Sequence, residues 1–255
     1  MRLFDVLGKV AIITGSSRGI GKAIAHRLAE HGAQVVISSR NAEPCQNAAA
    51  EINASVGRDA AIAVPASISS KSDLESLVAS TVDRFGAVDI LVCNAASNPH
   101  YGGMATISDE KFRKTLDNNI LSNHWLAQMV APQMIARRDG VIIIISSIGG
   151  MKGSAEIGAY NISKAADFQL ARNLAVELGP HNIRVNCIAP GLIKTDFAKA
   201  LWEDEATLKR VTSTAPLRRI GSPDEVAGAA VFLASQAGSY VTGQTVVVDG
   251  GMTIA

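Results

Sequence analysis

Between Val10 and Gly32 the chain changes character three times, and the order of those changes restricts its fold more than any other stretch. Residues 10–14 are a short β-branched run, Thr14-Gly15-Ser16-Ser17-Arg18-Gly19-Ile20-Gly21 is a glycine-rich turn, and Ala23, Ile24, Ala25, Leu28 and Ala29 then recur as a helical stripe closed by Gly32. Strand, glycine turn and helix in that order point backbone N–H groups and a helix N-terminus at one spot, where they cradle a phosphate. A Cβ at Gly15, Gly19 or Gly21 would block the tight turn or the close approach of a pyrophosphate. The spacing is GxxxGxG, not GxGxxG. Three glycines alone serve a purely structural turn equally well, and it is their place between strand and helix that favours a ligand.

The rest of the chain repeats the alternation. Further strands are predicted over 34–38, 60–64, 89–93, 141–145, 183–188 and 245–248, seven in all. Helices fall between them: Ser72-Asp73-Leu74-Glu75 reads as a capping box for a helix that Gly86 closes, a helix spans 108–135, and Ser222-Pro223-Asp224-Glu225 is a second capping box. Strands alternating with helices predict one α/β domain over 1–255, a doubly wound, seven-stranded parallel sheet of Rossmann type with helices on both faces. With 255 residues and 47% hydrophobic content the chain can bury such a core.

Charge and composition exclude several function classes. Lys plus Arg number 24 against 23 for Asp plus Glu, so no nucleic-acid or anionic-membrane partner is expected. The longest aliphatic run, 141–145, is far too short to span a bilayer. Cys45, Cys93 and Cys187 lie apart, mostly in apolar runs, and read as reduced core thiols. The histidines form no HxxxH, so no metal is expected. The N-terminus lacks a secretory pattern and the terminal Thr253-Ile254-Ala255 is no peroxisomal tripeptide, which sets the expectation of a cytoplasmic protein.

Candidate chemistry centres on 147–164. Tyr160 and Lys164 are four residues apart at the head of a segment in which Ala166, Leu170, Leu174 and Leu178 predict a helix with one buried stripe. Positions i and i+4 share a helix face, which places a phenol beside an ammonium and predicts a lowered phenol pKa, hence an acid or base usable near neutral pH. Isolated, that pair is usually a chance meeting on a solvated face. Ser146 and Ser147 stand at the end of the fifth predicted strand, and Asn94 at the end of the fourth, where ligands bind in open α/β sheets. Asn94 could equally bond neighbouring backbone. After the second strand, where an acidic residue would hold the ribose 2′-OH of NAD, the chain has Ser39 and Arg40, and Arg18 offers a second cation. Two forked guanidiniums suit a 2′-phosphate, so NADP(H) is the favoured cofactor and NAD(H) the alternative; both arginines could also be plain surface charges.

TGSSRGIG, Asn94-Ala95-Ala96, Ser147, YNISK and Pro190-Gly191, in that order along essentially the whole chain, resemble the short-chain dehydrogenase/reductase family. The resemblance implies a general acid/base at Tyr160, a ribose-binding and tuning role for Lys164, carbonyl orientation by Ser147, and an active-site Asn at Asn119, with Asn118 its rival. It implies cofactor contacts from Gly15, Ser17, Arg18, Gly19, Ile20, Gly21, Ser39, Arg40, Ser67, Ile68, Asn94, Ala95, Tyr160, Lys164, Pro190, Gly191, Ile193 and Thr195. Two positions depart from the family pattern: Ala96 replaces a Gly, and Ser67 stands where an adenine-contacting Asp is common. Residues 94–102 and 186–203 look like the branch of peroxisomal NADP-dependent carbonyl and retinal reductases. The implied activity is reversible hydride transfer between a nicotinamide cofactor and a small-molecule carbonyl or secondary alcohol. A 3-ketoacyl-carrier reductase is the rival enzyme, for which Arg137, Arg138 and Lys152 hint at a carrier-docking surface. A nucleotide-binding sensor without chemistry is the rival class, and it would be expected to lack Tyr160, Lys164 or Ser147. Residues 192–217 mix Leu192, Ile193, Phe197, Leu201 and Trp202 with charges, as a substrate-covering loop insertion would. Apolar residues beyond one stripe (Trp125, Phe168, Ala171, Ala175), with the family's habit, imply a homodimer or homotetramer.

Overall fold

In the computed structural model, which describes residues 3–255, β1 (Val10–Thr14) is buried from end to end and is the strand about which the sheet is laid down. It is flanked on one side by β2 (Gln34–Ser38) and then β3 (Ala61–Ala63). On the other side lie β4 (Ile90–Cys93), β5 (Gly140–Ile145), β6 (Ile183–Pro190) and β7 (Thr245–Val248). All pairings are parallel and the order is β3-β2-β1-β4-β5-β6-β7, as expected for the doubly wound sheet. Strand order reverses between β1 and β4, which opens a crevice at their carboxyl ends.

Side chains of successive strand residues point to opposite faces, and the sequence supplies both faces with aliphatics. Ala11, Ile13, Val35, Ile37, Val92 and Ile143 enter one core layer. Ile12, Val36, Leu91, Ile142 and Ile144 enter the other. The first layer is covered by α1 (Gly19–Glu30), α2 (Ala42–Val56) and, later in the chain, the helix 223–234. The second is covered by α3 (Lys71–Phe85) and by α5 (Ser122–Arg137) and α6 (Gly158–Leu178), with α4 (Asp109–Leu116) leading into α5. Burying one Ile or Leu completely is worth about 1.5–3 kcal/mol, so two such layers hold the crevice on a rigid base. The short α7 (Glu205–Thr212) and α8 (Pro223–Ala234) complete the helices. Among the described residues no helix is long and apolar enough to cross a membrane.

Four local expectations are corrected. The cap of α3 is Ser70, whose hydroxyl accepts from the Asp73 N–H, not Ser72; the Ser70 hydroxyl also donates to the Asp73 carboxylate. The capping box Ser222 to Glu225 does form. The helix expected over 108–135 is interrupted: residues Asp117–Leu121 form a π-helical turn between α4 and α5. In α6 the buried stripe is Asp167, Phe168, Ala171, Ala175 and Leu178, while Ala166, Leu170 and Leu174 are only half-buried. The stripe is turned by roughly one residue because Lys164 and Asp167 occupy core-facing positions that an apolar count passes over. For the same reason Phe168, Ala171 and Ala175 are not surplus apolar surface but part of the second core layer. Cys45, Cys93 and Cys187 are buried free thiols, as read from the sequence.

Candidate active site

The glycine turn closes around Asn94. Gly15 has φ of +65°, in the left-handed region, and a Cβ on Gly21 would lie 2.5 Å from the Gly15 carbonyl oxygen. Asn94 Nδ2 donates to the carbonyls of Thr14 at 2.9 Å and Gly15 at 3.1 Å, and the Asn94 and Ala95 N–H groups donate to Thr14 Oγ1. The Asn94 side chain thus bonds neighbouring backbone and fixes the curvature of the turn. The first turn of α1 then starts at Arg18 with no side-chain cap and no acidic residue, so its free N–H groups and positive dipole face the crevice beside Ser17, Gly19 and Ile20.

The other cofactor candidates lie along the same carboxyl edge. At the end of β6, Pro190 leads to Gly191, whose N–H donates to Val248 O at 2.9 Å and whose Cβ, if present, would meet Asp249 at 2.8 Å. Ile193 is buried, and Thr195 lies against Gly19, where an added Cβ would be 3.4 Å from Thr195 Cγ2. Beyond β2, Ser39 is half-buried with its hydroxyl 3.1 Å from Cys45 Sγ, and Arg40 is fully available at the surface. Arg18 is already engaged: its Nη1 donates to Asp196 at 3.1 Å, although both side chains are well exposed. Beyond β3, the Ser67 N–H donates to the Asp73 carboxylate, and Ile68 is half-buried against the second core layer.

Tyr160 and Lys164 open α6, and the turn after β5 is clamped onto them. Ser146 Oγ donates to Lys164 O at 2.7 Å, and a Cβ on Gly150 would strike the Lys164 backbone at 2.6 Å. Ser147 accepts from the Gly149 N–H at 3.0 Å and lies near enough to the Tyr160 phenol to favour its ionised form, which places Ser147, Tyr160 and Lys164 together. Lys164 Nζ is 5.7 Å from the centre of the Tyr160 ring and donates to Ile145 O at 2.8 Å. The expected fall in the Tyr160 pKa is not what the unliganded site gives. Burial pushes the phenol up, and the Lys164 ammonium opposes that rise without overcoming it. The sequence shows the neighbour but not the depth of burial.

Asn119 enters from the π-helical turn. It is fully buried; its Oδ1 accepts from the Ser97 N–H at 2.8 Å, and its Nδ2 donates to Ser97 O at 3.0 Å and to Ser163 Oγ at 2.9 Å on α6. The rival Asn118 donates to Ser97 Oγ and leaves its own Oδ1 unpaired. Asn119, not Asn118, thus joins the fourth strand's exit loop to the Tyr160 helix. A π turn inserts one residue into the helical register, and such turns are frequent at functional sites. Ser97, Ser163, Asn123 and Asp167 belong to this network and were missed in the sequence; the only signal was polar residues in otherwise core-facing positions.

Residues 192–217 follow β6 and bring Phe197 close to Tyr160. Phe197 stands 6.0 Å from the Tyr160 ring, Trp202 Nε1 donates to Thr195 O at 2.8 Å, and Lys194 lies 5.4 Å from the Trp202 ring. Phe197 and Leu201 are 54% and 44% exposed. Of the three basic residues, Arg137 donates to Val88 O and Asp89, and Arg138 to Pro180 O, at the amino ends of β4 and β6, whereas Lys152 follows the carboxyl end of β5.

A family model described as enoyl-(acyl carrier protein) reductase matches residues 15–253. Dehydrogenase/reductase SDR family member 4 of Oryctolagus cuniculus is 45% identical over 243 residues, covering 95% of this chain and 93% of that one. The Homo sapiens protein of the same description is 44% identical, covering 95% and 87%. Among solved structures, a gluconate 5-dehydrogenase from Burkholderia cenocepacia J2315 in complex with NADP and tartrate superposes with a TM-score of 0.93 at 34% identity, covering 99% of this chain and 98% of that one.

Proposed function

The chain belongs to the short-chain dehydrogenase/reductase family, and from that premise we propose that this oxidoreductase is an NADPH-dependent carbonyl reductase, reversibly converting a small ketone or aldehyde to the alcohol. The observation that carries the proposal is the meeting of Ser147, Tyr160 and Lys164 at the mouth of a crevice whose other wall is a glycine turn and an acid-free helix start.

The residues fit a nicotinamide dinucleotide: the turn at Gly15 to Gly21 leaves room for a pyrophosphate, and the α1 N-terminus favours its charge. When bound, the cofactor supplies the hydride that reaches the carbonyl carbon, or takes it back in the reverse direction. Tyr160 donates its phenolic proton to the carbonyl oxygen as negative charge develops there. Ser147 donates a second hydrogen bond to that oxygen. Lys164, anchored on Ile145 O, holds a fixed positive charge near the phenol so that the phenolate left behind is stabilised. Asn119 ties α6 to the loop after β4 and thereby fixes where Tyr160 stands.

The choice of NADP(H) rests on Ser39 and the free Arg40 at the end of β2, with Arg18 able to exchange Asp196 for a phosphate. The NADP-bound gluconate 5-dehydrogenase of matching fold supports a nicotinamide cofactor here. A charge-assisted hydrogen bond contributes about 1.5–3 kcal/mol, so Arg40→Ala is expected to weaken NADPH by about tenfold or more and NADH little. Ser39→Asp is expected to reverse the preference. Equal weakening of both cofactors by Arg40→Ala, read by fluorescence titration, would make Arg40 a surface charge.

We propose that 192–217 is the substrate cover and that Phe197 sets substrate range. A panel of ketones, aldehydes and acyl thioesters with NADPH and NADH tests the whole reading, and repeating it on Phe197→Ala tests the cover. Activity confined to acyl thioesters would support the 3-ketoacyl-carrier reductase alternative. Assembly as a homotetramer or homodimer is favoured by the outer faces of α5 and α6, where Trp125, Leu170 and Leu174 are half-buried and Ile162 and Val176 are 45% and 81% exposed. Solution mass is expected to be a multiple of 26.6 kDa, and a monomer at all concentrations would refute this.

A further inference from the structure

Beneath Tyr160 lies an ion pair for which proton delivery has no obvious use. Lys164 Nζ donates to Asp167 Oδ2 at 3.1 Å, with the two side chains 3% and 0% exposed. The other carboxylate oxygen accepts from Asn123 Nδ2 at 3.0 Å, and the same amide donates to Asn119 O at 2.6 Å. Both oxygens of Asp167 are therefore bound, and the chain Asn119, Asn123, Asp167, Lys164 runs from the π turn to the Tyr160 helix. On the stripe of α6 that faces the second core layer, Phe168, Ala171, Ala175 and Leu178 are apolar. An apolar residue at 167 would avoid the desolvation of a carboxylate, so the charge is retained against its burial.

We infer that Asp167 is a positioning residue for the reacting pair: it anchors the Lys164 ammonium and offsets its charge, so that Tyr160 keeps its proton at neutral pH and the site is set for carbonyl reduction. The inference rests on the reductase reading above. With Asp167 ionised, Tyr160 faces a neutral pair instead of a full positive charge, and the gain from ionising the phenol is smaller. The directions of titration agree. Burial raises Tyr160 most, Lys164 lowers it, and Asp167 raises it again, with Ser147 and Tyr101 as lesser influences. Burial works against the Lys164 ammonium, but Asp167 and Tyr160 outweigh it and hold Lys164 above its ordinary value. The remaining titratable groups around the pair are Cys93 on β4 and Cys187 on β6, which burial and then Asp167 push far up so that both stay neutral thiols, and Arg172 on the exposed side of α6.

Removing the carboxylate leaves the site with one uncompensated positive charge. The Tyr160 proton then leaves at lower pH, within the coupled titration of the Tyr160–Lys164 pair. Reduction needs the fully protonated pair and oxidation needs the pair with one proton lost, so the alkaline limb of the first and the acid limb of the second move the same way.

The test compares wild type with Asp167→Asn by near-ultraviolet tyrosinate titration of the unloaded protein, using Tyr160→Phe as the blank, and by the pH profile of kcat/KM in both directions. Both are expected to move to lower pH by roughly one to two units. Asp167→Leu, which removes the same charge and fills the space with methyl groups, should show the same shift and serves if the amide variant does not fold. An unmoved titration, a shift to higher pH, or a change in melting temperature alone would overturn the assignment and leave Asp167 a packing residue. If no carbonyl in the panel is reduced, the reductase reading fails, while the tyrosinate titration still decides the part played by Asp167.

Discussion

Tyr160→Phe is expected to bind nicotinamide dinucleotide with near wild-type affinity and to lose ~10²–10⁴-fold in turnover, the usual worth of a positioned acid. The substitution removes one oxygen and leaves the ring. That ring holds its place through packing: Phe197 lies 6.0 Å away and Lys164 Nζ 5.7 Å from its centre. The start of α6 is held by other groups: Ser163 Oγ donates to Tyr160 O, the Asn161 N–H to Ile157 O, and Asn161 Nδ2 to Lys152 O in the turn after β5. The phenol is raised by burial, so at neutral pH it carries a proton and is equipped to give it to a carbonyl oxygen. Without it the alkoxide would have to take its proton from water, a donor that nothing in the site positions. Saturating kcat separates this from binding, and fluorescence titration with NADPH measures binding directly. A kcat close to wild type would remove Tyr160 from the chemistry.

What the sequence made visible follows from how each feature is encoded. Most of the strands were legible because they are short runs rich in Val and Ile bounded by turn formers, and a parallel sheet buried on both faces needs that composition. The glycine turn and the Tyr160–Lys164 spacing were legible because the chemistry constrains residue type and interval together. Asn119 was reached only by resemblance, since the π turn at Asp117–Leu121 shifts the helical register that would have oriented it. The buried face of α6 was assigned to Ala166, Leu170 and Leu174 because a hydrophobic count treats Lys164 and Asp167 as surface residues. Their mutual pairing, which with the bonds to Ile145 O and from Asn123 makes that burial tolerable, is a tertiary fact. The closure of Arg18 on Asp196 joins residues 178 positions apart and has no local signature either.

Lys164→Ala is expected to be damaging twice over, in stability and in turnover, and pH separates the two. Removing one partner of a buried pair leaves the other uncompensated, at a cost of about 3–5 kcal/mol. Here the residue left behind is Asp167, fully buried, with only Asn123 still donating to it. Burial already raises the Asp167 pKa, against the pull of Lys164, and loss of the ammonium must raise it further. An acid whose folded pKa lies above its unfolded value, ~3.9 for Asp, favours the fold below that value and loses the contribution as pH rises through the folded pKa. The stability deficit of Lys164→Ala should therefore be smallest near about pH 4 and grow toward neutrality, the reverse of ordinary acid denaturation. Adding Asp167→Asn removes the stranded charge and should restore most of the melting temperature near neutral pH. It should not restore turnover, because the positive charge beside Tyr160 and the ribose contact proposed for Lys164 are both still missing. Melting curves of the two variants and wild type across that pH range, with kcat and NADPH affinity of the double variant, decide the matter. A deficit that stays flat with pH, or a double variant no more stable than Lys164→Ala, would mean that Asp167 is not the charge that Lys164 holds in place.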